Sequence, residues 1–154
     1  MRIHLLAIGK RMPSWVDDGY DNYARRLPRD WLRLHALAQA KHGGGAAKRN
    51  IETEGQSLLG ALPKGARVIA LNASPKSWST EQLRERLERW MMDGRDIALL
   101  IGGPDGLSGA VLQAAEEHWS LSALTLPHGL VRVLVAEQLY RCWSMLNNHP
   151  YHRD

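Results

Sequence analysis

The sequence predicts an α/β fold: a mostly parallel sheet with helices on both faces. Three observations lead there. Short apolar runs suited to strands alternate with amphipathic stretches suited to helices along the chain. The run at residues 96–101 is apolar almost throughout, as expected of a strand buried on both sides. Two apolar runs also pass directly into glycine- or proline-broken turns. These are Ile101-Gly102-Gly103-Pro104-Asp105-Gly106-Leu107 and Leu124-Thr125-Leu126-Pro127-His128. Such turns leave bare backbone at the carboxyl ends of strands, where open α/β sheets bind ligands.

Taken in order, residues 3–8 are an apolar run closed by Gly9 and give the first strand. This start has the look of a secretion signal, but its apolar part is too short and no small-residue cleavage site follows. Residues 13–27 read as a helix, with Pro13 or Ser14 at its start and Pro28 as its stop. Residues 31–37 alternate apolar and polar, the pattern of a half-buried strand near a sheet edge. Residues 41–48 hold three successive glycines and several basic side chains and read as a mobile loop. Residues 51–62 look helical and end at Pro63-Lys64-Gly65. Residues 67–71 are the next strand, and 72–77 a turn. Ser79 offers an N-cap for a helix through about Met92, with Leu83, Leu87 and Trp90 on one face and Asp93-Gly94 as its close. Beyond the strand at 96–101, the pattern gives a short helix over 108–118 and a short strand over 119–123. Pro127 then breaks the chain before a final helix over 129–146.

A chain of 154 residues is most simply one domain, 1–154, large enough for a continuous core. The apolar fraction of 44% and charged fraction of 23% are those of ordinary globular proteins. No apolar stretch is long enough for a membrane helix. The single cysteine, Cys142, excludes an internal disulfide and any multi-cysteine metal cluster, and a cytoplasmic location follows as the default. The histidines lack the short fixed spacings of a zinc site, so no metal is expected. The net charge of +4 fits a nucleic-acid partner and fits a solvated mixed-charge surface equally well.

Glycines in the turn at 102–106 let a ligand approach the backbone closely. Their spacing matches neither the dinucleotide fingerprint nor the nucleoside-triphosphate loop, and taken alone they also make a tight structural turn. The run Leu121-Ser122-Ala123-Leu124-Thr125-Leu126 would read an adenine edge through its backbone if it lined a cleft; by itself it reads more simply as a buried strand. The final helix is apolar around so much of its circumference that it must be covered on two sides, which favours a homodimer interface. His128 reads first as a helix-start residue bonding locally. The tail His149-Pro150-Tyr151-His152-Arg153 gathers imidazole, phenol and guanidinium, groups suited to proton transfer and phosphate contact if the tail docks over a pocket. Most of the six tryptophans are expected as core or interface anchors.

Over almost its whole length the chain resembles the small SPOUT-class methyltransferases that modify large-subunit ribosomal RNA, the RlmH type. The likeness is carried by Leu5-Leu6-Ala7-Ile8-Gly9-Lys10, the block from Tyr23 to Arg26, Glu54-Gly55, the block from Leu99 to Leu107, the block from Leu121 to His128, Arg132, Glu137-Gln138-Leu139-Tyr140-Arg141 and His149-Pro150-Tyr151-His152. The resemblance implies a deep trefoil knot in the last third of the fold. It implies S-adenosylmethionine as cofactor, contacted by Leu71, Gly102, Leu121, Ser122, Ala123, Leu124, Thr125 and Leu126. It further implies a homodimer through the last helix, and methylation at N3 of a pseudouridine in the intersubunit-bridge stem-loop of 23S rRNA, on assembled ribosomes.

An imide nitrogen becomes a useful nucleophile only as its proton leaves, and histidine is best matched to accept that proton near neutral pH. The tail is therefore the expected substrate side of the site. His152 is the candidate base, Tyr151 positions the nucleobase, and Arg153 and Arg141 stabilise developing negative charge or hold phosphate. Two other readings stand beside this one. One is the same fold acting on another RNA such as tRNA; the other is a non-enzymatic ribosome-associated RNA-binding module.

Overall fold

The computed structural model describes residues 1–41, 47–74 and 76–152. Among these, β1 (Ile3–Ile8), β2 (Leu32–Leu37), β3 (Arg67–Leu71), β4 (Ile97–Ile101) and β5 (Glu117–Trp119) join one sheet in the order β2-β1-β4-β3-β5. All the strand pairings are parallel. Parallel neighbours need crossover connections. Helices α1 (Ser14–Ala24), α2 (Ala47–Gly60), α3 (Thr80–Asp93) and α4 (Gly109–Ala114) supply them, and α5 (His128–Leu146) follows the last strand.

Residue periodicity decides which side each helix covers. Along β1, Ile3, Leu5 and Ala7 point to one face and pack with Tyr20 of α1, Leu83 and Leu87 of α3, and Leu139 of α5. Leu6 and Ile8 point to the other face and meet Leu58 of α2 and Val111 of α4. Both faces are thus covered, as the sequence predicts. Strands β1 and β4 are buried at every position, whereas β2 is half-buried along most of its length and closes one sheet edge. The expected edge position of the alternating strand is borne out.

Three expected boundaries move. The helix expected from residue 51 begins at Ala47, so Lys48 and Arg49 lie on α2. Of the expected loop at 41–48, residues 42–46 lie outside the described residues. The helix expected over 108–118 stops at Ala114, and Glu117–Trp119 is strand. Two acidic residues, Glu116 and Glu117, fall within that expected helix. They are taken instead by Arg95, Arg67 and Arg86, reached at 2.7, 3.5 and 3.2 Å, and Trp90 donates its indole N–H to Glu117 at 3.1 Å. These contacts pin the segment beside β3 in extended form. The strand expected over 119–123 accordingly ends at Trp119, and only Ser120 adds a bridge, to Ser77.

Candidate active site

The order β2-β1-β4-β3-β5 reverses direction between β1 and β4, since the chain leaves β1 towards β2 and leaves β4 towards β5. Ligand crevices in open sheets form at the carboxyl ends of strands near such a reversal. There the loops following β3, β4 and β5 surround a cleft of about 250 Å³.

Each loop is shaped by its own residues. After β4, Gly102 packs so tightly that a Cβ on it would lie 2.5 Å from the Gly106 carbonyl oxygen. Gly106 turns the chain with φ at 90°, a backbone state that favours glycine. After β5, the Ser120 hydroxyl donates to the Ser122 carbonyl at 3.0 Å, and the Ser122 hydroxyl accepts the Leu124 N–H at 2.9 Å. These bonds fold residues 120–124 into a compact turn in place of a strand. Trp119, 2% exposed, forms the back wall and stacks on Trp78 at 5.6 Å. Arg86 lies over the Trp78 ring at 4.1 Å.

Of the residues expected to hold a cofactor, the cleft brings together Leu71, Gly102, Leu121, Ser122, Leu124, Thr125 and Leu126. Ala123 is exposed and does not line it. Leu124 stands at the rim 73% exposed, an uncovered apolar surface at the cleft. Asn72 was missed by sequence reasoning. It lines the cleft, and its buried side-chain oxygen has no partner among the described residues. Its position just past β3 is the one signal that could have found it. His128, expected to bond only locally, also lines the cleft from the start of α5. Burial first, and then the neighbouring Arg132 guanidinium, hold its imidazole below its usual value, while the Glu54 carboxylate pulls the other way.

The tail docks elsewhere. Residues Pro150–His152 form a short 3-10 helix against α5. The Tyr151 hydroxyl donates to Glu137 Oε1 at 3.0 Å, and its ring packs on Tyr140 at 4.6 Å between centroids. Arg141 also binds Glu137, at 2.6 Å, and lies over the Tyr151 ring at 5.1 Å. Burial first, then Tyr23 and Glu137, raise the Tyr151 phenol well above its usual range, so it stays protonated and suits positioning, not base chemistry. His152 is half-buried, with Nδ1 enclosed and unpartnered among the described residues. Arg153 lies outside the described residues. Glu137 and Arg141 sit about 14 and 20 Å along α5 from His128, at about 1.5 Å of rise per residue. The structure therefore brings Tyr151 and Arg141 together, but not onto the cleft of their own chain.

A family profile described as "Predicted SPOUT methyltransferase" matches residues 1–152. The chain belongs to the SPOUT methyltransferase family. Within that family it is similar over its full length to proteins named ribosomal RNA large subunit methyltransferase H. That of Methylococcus capsulatus is 54% identical, across 99% of this chain and 100% of the relative. That of a Marinomonas species is 50% identical over the same shares. Solved structures of other proteins show the same fold at low identity. A probable methylase family protein from Haemophilus influenzae superposes with a TM-score of 0.60 at 15% identity, over 99% of this chain and 70% of that one. The putative methyltransferase Lpg2936 of Legionella pneumophila, solved with bound S-adenosylmethionine, gives 0.51 at 12% identity, over 93% and 66%.

Proposed function

We propose that this SPOUT methyltransferase uses S-adenosylmethionine to methylate N3 of a pseudouridine in the intersubunit-bridge stem-loop of large-subunit ribosomal RNA. It does so as a homodimer acting in the cytoplasm on assembled ribosomes. The observation that carries the reading is the convergence of three loops, after β3, β4 and β5, on one apolar cleft in a chain related end to end to enzymes named for that RNA. The cleft suits the cofactor's adenosine. Its walls include leucine, isoleucine and tryptophan, the Asn72 oxygen, unpartnered among the described residues, can accept from an exocyclic amine, and the Gly102 turn, packed on Gly106 too closely for any side chain, presents bare backbone to the ligand. The trefoil threading expected of the last third belongs to the same reading.

When bound, S-adenosylmethionine supplies an electrophilic methyl group: the S–CH3 bond breaks, its electron pair stays on sulfur, and a new N–CH3 bond forms. The chain's task is to align the nucleophile with that methyl and remove the N3 proton. His152 accepts the proton, Arg141 and Arg153 favour the developing imide anion, and Tyr151 holds the base. The distance along α5 between tail and cleft means that a second copy's tail completes each site. The outward stripe of α5, with half-exposed Leu130 and Leu134, is the surface on which the copies meet. Among the described residues Arg25 and Arg26 face no carboxylate at ion-pair distance, unlike Arg67, Arg84, Arg86 and Arg95. With Lys41, Lys48 and Arg49 they are cations that can meet RNA phosphate.

The test is transfer of labelled methyl from S-adenosylmethionine to ribosomes lacking the modification, with the product nucleoside mapped by mass spectrometry. One N3-methylated pseudouridine in 23S rRNA is expected. In the same assay His152→Ala should slow transfer about 100-fold or more, with cofactor affinity preserved. Methyl found only in tRNA, or none transferred, contradicts the proposal, and parental turnover by His152→Ala at every pH removes that residue as the base.

A further inference from the structure

Directly behind the glycine turn lies a buried polar cluster that this mechanism leaves unused. Glu54 of α2 is 3% exposed and Arg132 of α5 is 1% exposed. Buried charges are costly unless paired, and their retention needs a reason. Arg132 accounts for itself: it donates to the carbonyl oxygens of Ile8 and Gly9 at 3.0 and 2.6 Å and so ties α5 to the end of β1. Glu54 is only half accounted for. Its Oε1 accepts the Ala40 N–H at 3.0 Å, but its Oε2 is buried and has no hydrogen-bond partner among the described residues.

That free oxygen has a defined position. A Cβ placed on Gly103 would lie 2.8 Å from Glu54 Oε2, and Gly103 is part of the cleft wall. The carboxylate thus abuts a glycine of the cleft wall, at a point where no side chain intervenes. The helix carrying Glu54 is held in place by its next residue, since Gly55 packs directly on the Ser108 hydroxyl that caps α4. The Arg132 guanidinium sits behind Gly9, which does not line the cleft, whereas Glu54 Oε2 sits behind Gly103, which does. His128, the imidazole at the cleft edge, is held below its usual value by burial and then by Arg132, with Glu54 acting the other way.

We propose that Glu54 is a specificity-determining residue for charge in the cofactor: its unpartnered carboxylate oxygen behind Gly103 makes the cleft favour a cationic sulfonium over a neutral thioether. The inference rests on the reading of the cleft as the S-adenosylmethionine site. Methyl transfer turns the sulfonium of S-adenosylmethionine into the thioether of S-adenosylhomocysteine. The cleft therefore loses a favourable charge interaction at the moment of reaction, and the product leaves more readily than the donor. A charge held in a low-dielectric wall acts over several ångströms and resists screening by salt.

Isothermal titration calorimetry on the full-length protein, wild type and variants, with each of the two ligands tests this. Glu54→Gln keeps an acceptor for the Ala40 N–H and removes only the charge. It should weaken S-adenosylmethionine binding about tenfold and change S-adenosylhomocysteine binding less than about twofold. Glu54→Asp, which restores the charge, should recover most of the preference. Equal weakening of both ligands by Glu54→Gln would show a purely structural role and overturn the proposal, as would no change in either. If Glu54→Gln does not fold, the wild type decides: S-adenosylmethionine must bind more tightly than S-adenosylhomocysteine, and equal or inverted affinities overturn the assignment. A wild type that binds neither ligand overturns the cofactor reading itself, and this inference with it.

Discussion

His128 and His35 show how neighbours set the charge of a single side chain. Both imidazoles are held below the usual value of 6.5, His128 by burial and then Arg132, His35 by burial and then His4 and Arg33. A base whose folded value is depressed takes up protons more readily when unfolded. Its stabilising contribution is complete above the unfolded value and is lost as pH falls through the folded one. The urea midpoint should therefore drop between about pH 7 and pH 5, before the carboxylate window is reached. His35→Gln should reduce that drop, and a midpoint flat across the interval in the wild type contradicts the account. At this scale the sequence shows chemistry unevenly. Gly102 is legible through the resemblance carried by the block from Leu99 to Leu107, since alone its turn serves equally as a structural one. Asn72 is not, because an asparagine after a strand is ordinary turn chemistry until its oxygen is found buried and unpartnered.

At the scale of elements, local rules succeed where the deciding contacts are local. The α3 start was readable from Ser79-Thr80-Glu81-Gln82. The structure shows the full reciprocal cap, with the Ser79 hydroxyl accepting from the Gln82 N–H and the Gln82 side chain accepting from the Ser79 N–H. Ser79→Ala should cost about 1 kcal/mol of unfolding free energy, measured by urea denaturation with unchanged dependence on urea concentration. A change below a few tenths of that would mean the cap is satisfied otherwise. The β5 boundary was misread for the converse reason. Residues 116 and 117 become extended through Arg95, Arg67, Arg86 and Trp90, contacts that span 21 to 49 residues in sequence and that no local pattern encodes. The early start of α2 likewise takes in Ala47 and Lys48, which composition had assigned to a loop.

For the whole molecule, the alternation of runs was enough to give the layered architecture, because parallel strands need helical crossovers that cover both faces of the sheet, while the strand order became visible only in the structure. The division of labour between cleft and tail was not legible, since it depends on where a terminal segment docks. Tyr151 goes to Glu137 and Arg141, well down α5 from the cleft. If a second copy's tail completes each site, Leu134→Glu on the outward stripe of α5 should shift the protein to monomer in analytical ultracentrifugation. It should also abolish methylation of ribosomes while leaving the fold intact by circular dichroism, and a monomeric variant that retains full activity contradicts the shared site. The claim on which the rest depends is that the loops after β3, β4 and β5 together cradle a methyl donor. A crystal of the protein soaked with S-adenosylmethionine measures this directly. The account predicts the adenosine between Leu71, Gly102 and residues 121–126, with the Asn72 oxygen turned towards it. Donor density anywhere else on the protein would contradict it.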